Sequence, residues 1–195
     1  NAQGDGWTEF EYLSGKNLEK WMDERLQDGD KASVTEMLNR FWQSLVQMSD
    51  GPFEVTEEYS RVFGRTLPEG LALHGAAGMD IDLVFTNLFL NDEKPDQLTV
   101  TDYEWVFPFP VPVEFVYCRS VFCSVAISKM PEEDREAVYA VAGIRKEDLP
   151  VFLQMEIAFQ KYVTGQTKTM AEHFRRFERK VYPLLHYQPY SVIIF

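Results

Sequence analysis

The longest regular pattern in the sequence is an apolar stripe with helical spacing that follows Ser33. Its members are Val34, Met37, Leu38, Phe41, Trp42, Leu45 and Val46. Separations of three and four residues place these side chains on one face of a helix, so other parts of the chain have to cover that face. Ser33 and Glu36 have the spacing of a capping box, and Gly51 with Pro52 ends the pattern. The stripe therefore predicts a long helix in the core.

Other segments carry shorter patterns. They predict helices from Asn17 to Gly29, Glu57 to Phe63, Glu114 to Ser128, Glu132 to Val141, Lys146 to Val163 and Lys168 to Tyr182. The mixture of aromatic and acidic residues from Trp7 to Leu13 is typical of a short strand. The run VFPFPVPVEF has three prolines in five residues and forms neither a central strand nor a regular helix. The predicted fold class is α+β, predominantly α-helical, in a single domain of residues 1–195.

Charge excludes one large class of partners. Lys and Arg total 19 against 31 Asp and Glu, which gives a formal net charge of -12. A chain with this charge is repelled by a phosphate backbone, so nucleic acid is not an expected partner. No apolar run approaches the ~20 residues of a transmembrane helix, so no transmembrane segment is expected.

The cysteines indicate the compartment. Cys118 and Cys123 lie in one apolar stretch, and their spacing fits neither a disulfide framework nor a zinc site. We expect two buried thiols in a reducing compartment, and hence a cytoplasmic protein. The opening NAQGDG lacks an initiating methionine, so the natural protein is expected to extend upstream.

Two short strand patterns flank a polar loop that contains proline. NLFL begins at Asn87, LTVT ends just before Asp102, and an antiparallel hairpin is predicted. In such a hairpin Asn87 and Asp102 fall at the same end, with backbones about 5 Å apart. Asp82 lies five residues before Asn87 and is close enough to overhang that end. Three oxygen-bearing side chains are therefore expected around one cavity.

These residue types suit phosphoryl transfer. A carboxylate and an amide oxygen form a sparse site for Mg²⁺, which takes its remaining ligands from water and substrate phosphates. A separate carboxylate can orient a hydroxyl group and accept its proton. Taken singly, acids and asparagines are also common turn and cap residues, and that alternative stays open for each of them.

At these residues the sequence resembles the protein-kinase-like phosphotransferases. DLVFTN followed by TDYEW is similar to their catalytic loop and metal-binding segment, especially in relatives of choline kinase and aminoglycoside phosphotransferase. The resemblance implies that Asp82 is the catalytic base, that Asn87 and Asp102 are Mg²⁺ ligands, and that ATP is the phosphate donor. It also implies the fold of a kinase C-terminal lobe with a site-bearing hairpin.

The upstream segment FEYLSGKNLEKWMDERL looks like the hinge strand and following helix of the same fold. The resemblance implies that Glu11, Tyr12 and Leu13 meet the adenine ring. It also implies that Phe89 forms the apolar floor beneath that ring.

A narrower similarity extends downstream. DYEWVFPFPVPVEFVYCRSV looks like the kinase-like module of bacterial methyltransferases and glycosyltransferases that build surface polysaccharides. The sequence departs from the family at Asp80, where histidine is usual, and at Val84, where protein kinases place lysine. It also has no glycine-rich phosphate loop and no strand lysine. It therefore resembles a C-lobe whose N-lobe is absent or truncated.

Two functions are compatible with these features. The first is a Mg²⁺-dependent ATP phosphotransferase lobe acting on a small-molecule or glycan hydroxyl within a larger surface-polysaccharide biosynthesis protein; the isolated fragment is then expected to be inactive. The second is a catalytically inactive kinase-like module that docks onto the upstream N-lobe or a partner domain of a glycosyltransferase or methyltransferase. A structural helical protein with an accidental motif match is the third alternative.

Two residues near the site have plainer expectations. For His74, a structural hydrogen bond is favoured over contact with a phosphate or with Asp82. For Glu104, an ion pair with Arg119 is favoured over binding of a second metal ion.

Overall fold

The computed structural model describes residues 2–4, 7–9, 13, 15–91, 97–165, 168–169 and 172. Within these residues helices predominate over short strands, so the mixed, mainly helical fold class is confirmed. Among the helices that the described residues form, none is both long and apolar enough to cross a bilayer.

The helices are given in chain order. They are α1 (Leu18–Gln27), α2 (Lys31–Gln47), α3 (Glu57–Phe63), α4 (Val113–Phe122), α5 (Val125–Ser128), α6 (Glu132–Ala140) and α7 (Leu149–Val163), with a 3-10 turn at Lys146–Asp148. Asn17, the first residue of the predicted helix, is the N-cap of α1, because its side-chain oxygen accepts the backbone N–H of Lys20 at 2.9 Å. The predicted helix from Lys168 to Tyr182 lies almost wholly outside the described residues.

The strands that the described residues form are short and pair antiparallel in three small sheets. They are β1 (Ala2–Gly4), β2 (Trp7–Glu9), β3 (Gly51–Pro52), β4 (His74–Ala76), β5 (Leu88–Leu90), β6 (Leu98–Val100) and β7 (Val111–Pro112). Their orders are β1-β2, β3-β4-β7 and β5-β6. The β5-β6 pair is the hairpin expected from the sequence, with Leu88 opposite Val100.

Two helix boundaries were predicted wrongly. Asp30, not Ser33, caps α2, because the Asp30 carboxylate accepts the N–H of Ser33 at 3.1 Å and the helix begins at Lys31. The helix predicted from Glu114 to Ser128 is two helices. It breaks before α5 because the Ser124 hydroxyl accepts the N–H of Ile127 at 3.1 Å and starts a new helix there.

The most buried helix is α4, which follows directly from the proline-rich run. All of its residues from Val113 to Val121 are buried, including Glu114 and Arg119. The stripe of α2 buries four side chains, those of Val34, Leu38, Phe41 and Leu45.

Cys118 on α4 is buried as expected, but Cys123 lies beyond the C-terminus of α4 and is exposed. The prediction of two buried thiols was therefore wrong for Cys123.

The chain before α1 lies directly against the hairpin. Leu90 donates its N–H to the carbonyl oxygen of Lys16 at 3.0 Å, and Asn17 forms an isolated bridge with Phe89. A Cβ on Gly15 would stand 2.5 Å from the carbonyl oxygen of Leu90, closer than real Cβ atoms approach, so only glycine permits this contact without a shift. The hairpin is thereby held on one side by the residues that lead into α1.

Candidate active site

The hairpin brings Asn87 and Asp102 to the same end. Thr101 donates both its backbone N–H, at 2.9 Å, and its hydroxyl, at 3.0 Å, to the carbonyl oxygen of Asn87. These two bonds extend the β5-β6 ladder by one position. Asp102 follows immediately, so it leaves the ladder beside Asn87.

Asp82 and Asn87 are in direct contact. The Asn87 side-chain amide donates to the Asp82 carbonyl oxygen at 3.0 Å and to Asp82 Oδ2 at 3.2 Å. Both residues belong to residues 80–87, here called the aspartate loop. With its Nδ2 directed at Asp82, Asn87 presents its Oδ1 in another direction. The side chain of Asp82 is 18% exposed, so it remains reachable from solvent.

Backbone pairing brings Asp102 and the aspartate loop together. The N–H of Ile81 donates to the carbonyl oxygen of Trp105 at 3.1 Å, and Asp80 forms an isolated antiparallel bridge with Val106. Asp102 is exposed and has φ 68, the one positive value among the described non-glycine residues. Its carboxylate is close enough to Asp80 to raise the pKa of that residue.

Asp80 is the crowded carboxylate of the group. Burial raises its pKa most, and the negative charges of Asp82 and Asp102 raise it further. The N–H of Asp82 partly offsets this by donating to Asp80 Oδ1 at 2.9 Å. Asp80 Oδ2 is buried and has no hydrogen-bond partner among the described residues. Negative charge is therefore concentrated where the aspartate loop meets Asp102.

Replacing Asp80 with asparagine is expected to raise the free energy of unfolding at pH 7. A carboxyl group whose folded pKa is raised destabilises the fold once it ionises, so the wild type loses stability as pH rises through that pKa. An asparagine keeps the acceptor for the N–H of Asp82 and carries no charge. Urea unfolding at pH 7 and at about pH 3, below the usual aspartate pKa, measures the effect, with Asp28→Asn at the exposed C-cap of α1 as control. A gain equal at both pH values, or no gain, contradicts the electrostatic account.

Arg119 lies in the site with partners other than the one expected from the sequence. Its Nη1 donates to Asp82 Oδ1 at 2.6 Å and to the carbonyl oxygen of Ile81 at 3.2 Å. Its Nε stands 3.1 Å from Glu156 Oε2, an ion pair without hydrogen-bond geometry. The sequence contained a signal for this, because Arg119 is a charged residue inside an apolar helical pattern. Such a residue is expected to be buried, and buried charges are paired.

Glu104 and His74 are the two nearby residues for which the sequence left alternatives open. The expected ion pair between Glu104 and Arg119 was wrong, because Arg119 is engaged by Asp82 and Glu156 while Glu104 is exposed. His74 has the favoured structural role: its Nδ1 lies 2.6 Å from Oε1 of the buried Glu114, which also accepts the backbone N–H of His74.

Of the residues expected to meet adenine, Glu11 and Tyr12 lie outside the described residues. Leu13 is half-buried, and Phe89 is half-buried on β5 next to the chain that leads into α1. Their roles toward a nucleotide stay predictions.

The described residues include no group of three or more His, Cys, Asp or Glu side chains arranged to hold a metal ion. The expected magnesium site is of another kind, because one of its ligands is an asparagine oxygen.

No protein-family model, curated protein or solved structure matches the chain.

Proposed function

We propose that the chain is a lobe of a Mg²⁺-dependent ATP phosphotransferase that acts on a small-molecule or glycan hydroxyl. The observation that supports this most is the contact between Asn87 Nδ2 and Asp82 Oδ2, at the hairpin end from which Asp102 emerges. The lobe corresponds to the C-terminal lobe of a kinase-like fold. In this proposal it belongs to a larger protein of surface-polysaccharide biosynthesis.

Asp82 takes the role of the group that orients the acceptor hydroxyl. One of its oxygens is held by Arg119 and the other by Asn87, so the carboxylate has one defined orientation. Each carboxylate oxygen has two lone pairs, which leaves acceptor capacity for a substrate hydroxyl. A hydroxyl held in line with a phosphate needs little further chemical help, because positioning supplies much of the catalysis of phosphoryl transfer.

The donor set fits Mg²⁺. Asn87 directs its amide nitrogen at Asp82, which leaves its Oδ1 for a cation, and the exposed Asp102 contributes a carboxylate. Both are hard oxygen ligands of the kind that Mg²⁺ prefers. When bound, the ion would shield the phosphate charges of ATP. A cation is needed here on electrostatic grounds, because Asp80, Asp82 and Asp102 would otherwise repel a triphosphate.

The remaining nucleotide contacts are assigned to other parts of the protein. In this proposal Leu13 and Phe89 contact the adenine ring together with Glu11 and Tyr12. An upstream N-lobe or a partner domain supplies the contacts to the phosphates. Val84 in place of lysine favours a small molecule or glycan over a protein as acceptor.

A catalytically inactive binding or scaffolding module of a glycosyltransferase or methyltransferase is the second candidate. It is favoured by an apolar groove of about 210 Å³ between α2 and the β5-β6 hairpin. The groove is lined mainly by Met37, Phe41, Met48, Leu88, Leu98 and Val100. Met48 is 50% exposed, and such a surface can receive an apolar segment of another domain.

Isothermal titration of the full-length natural protein with ATP distinguishes the two candidates. We expect binding with Mg²⁺ and none after chelation, and at least a 10-fold loss of affinity in Asp102→Asn, because the substitution removes a charged ligand. Asparagine is chosen because it tolerates the positive φ of Asp102 and so leaves the backbone in place. Asp28→Asn is the control. Equal affinity in Asp102→Asn contradicts the proposal, and a wild type without binding favours the scaffolding module.

A further inference from the structure

The aspartate loop is fastened to the central helix by two consecutive residues of α4. Arg119 binds Asp82 and the carbonyl oxygen of Ile81, while the hydroxyl of Ser120 donates to the carbonyl oxygen of Leu83 at 2.8 Å. Of these two residues of α4, Arg119 contacts the carboxylate of Asp82 and Ser120 does not. Ser120 holds the backbone of the same loop, so the two contacts can be separated by substitution.

Arg119 is itself held from the other side. Glu156 on α7 lies 3.1 Å from its Nε, and the Phe159 ring centroid lies 5.1 Å from its guanidinium carbon. Gln160 in turn donates to the second carboxylate oxygen of Glu156 at 2.8 Å. The side chains of Arg119 and Glu156 are only 11% and 7% exposed. The guanidinium is therefore confined by an ion pair and an aromatic ring.

This arrangement keeps Arg119 charged. Burial lowers its pKa, but the carboxylates of Glu156 and Asp82 raise it more, so the net pKa lies above the ordinary value. Burying an ion pair gives little or no net stability compared with apolar side chains of the same volume. A purely structural role is thus a weak explanation for the buried pair. A positioning role explains both partners of the guanidinium, because Glu156 holds Arg119 in place and Arg119 fixes the direction of the Asp82 carboxylate.

We propose that Arg119, oriented by Glu156, is the positioning residue that sets the Asp82 carboxylate for the acceptor hydroxyl. The catalytic role of Arg119 rests on the proposed function. The orientation of Asp82 by Arg119 and Glu156 rests on the contacts alone. Arg119 is not assigned a contact with substrate.

The test uses Arg119→Met/Glu156→Gln in the full-length natural protein, because removing both charges leaves no unpaired buried charge at position 156. ATP turnover with Mg²⁺ is expected to show kcat lowered by about 100-fold, since a displacement near 1 Å can cost that much, with KM for ATP within 3-fold. Arg119→Lys keeps the charge and is expected to recover part of kcat. Ser120→Ala removes only the contact to the loop backbone and is expected to lower kcat by less than the double variant does. Asp28→Asn at the exposed C-cap of α1 is the control that should keep the wild-type rate.

A crystal structure of the double variant gives a readout that needs no activity. We expect the Asp82 carboxylate to leave its position, with more than 3.5 Å between Asp82 Oδ2 and Asn87 Nδ2. An Asp82 that stays within 0.5 Å, or an equal loss of kcat in Ser120→Ala, overturns the role of Arg119. Absence of turnover in the wild type overturns the proposed function, and the position of Asp82 still decides the role of Arg119.

Discussion

Replacing Asp82 with asparagine is expected to lower kcat for phosphoryl transfer by about 10²- to 10⁴-fold, the range that a positioned acid-base group contributes. The amide cannot accept a proton from the acceptor hydroxyl. It also disturbs Asn87: Arg119 requires an oxygen at one side of residue 82, so the new amide nitrogen would face the Asn87 amide nitrogen. Asn87 would have to turn its Oδ1 inward, away from a cation.

This effect is measured as ATP turnover by the full-length natural protein at saturating Mg²⁺ and ATP. Asp28→Asn makes the same chemical change at an exposed position and is expected to keep the wild-type rate. Unchanged turnover in Asp82→Asn would show that Asp82 takes no part in catalysis. Because Asp82→Asn also affects Asn87, we further expect the Mg²⁺ affinity of this variant to fall. Loss of the catalytic base alone would leave the Mg²⁺ affinity unchanged.

Replacing Arg119 alone with methionine is expected to cost about 3–5 kcal/mol of unfolding free energy, because it leaves the buried carboxylate of Glu156 without a charged partner. A loss of this size is a large part of the 5–15 kcal/mol that stabilises a typical domain. Adding Glu156→Gln removes the unpaired charge. The double variant is therefore expected to recover most of the lost stability.

Urea unfolding of the wild type, the single variant and the double variant measures this coupling. Substitution of a matched exposed pair, Arg40 and Glu36 on α2, provides the control, because exposed ion pairs contribute at most about 1 kcal/mol. A single variant that loses less than about 1 kcal/mol contradicts the account. So does a double variant that is no more stable than the single one.

Local patterns were enough to predict the elements that carry the site. The two short strand patterns NLFL and LTVT and the polar loop between them predicted the β5-β6 hairpin, and a hairpin fixes which residues share an end. The cap of α1 at Asn17 was predictable for the same reason, since a cap depends on three or four neighbouring residues. The magnesium and nucleotide roles of these residues remain proposals.

Contacts between distant segments were not predictable from such patterns. Arg119 was assigned to Glu104, which is nearer in sequence, whereas the packing of α4 against α7 brings Glu156 to it instead. Local capping caused the errors in the helix boundaries: Asp30 caps α2 ahead of Ser33, and Ser124 interrupts a stretch whose apolar pattern continues. One sequence offers several local solutions, and tertiary packing selects among them.

The proposed function requires that Asn87 and Asp102 bind a divalent ion beside Asp82. Paramagnetic broadening of backbone amide signals by Mn²⁺ with ATP, recorded on isotope-labelled protein, shows which residues lie next to the bound ion. We predict selective broadening of the amide signals of Asp82, Asn87 and Asp102, lost in Asp102→Asn, with the signal of Glu133 on α6 unaffected. Broadening centred elsewhere, or unchanged in Asp102→Asn, would contradict the account.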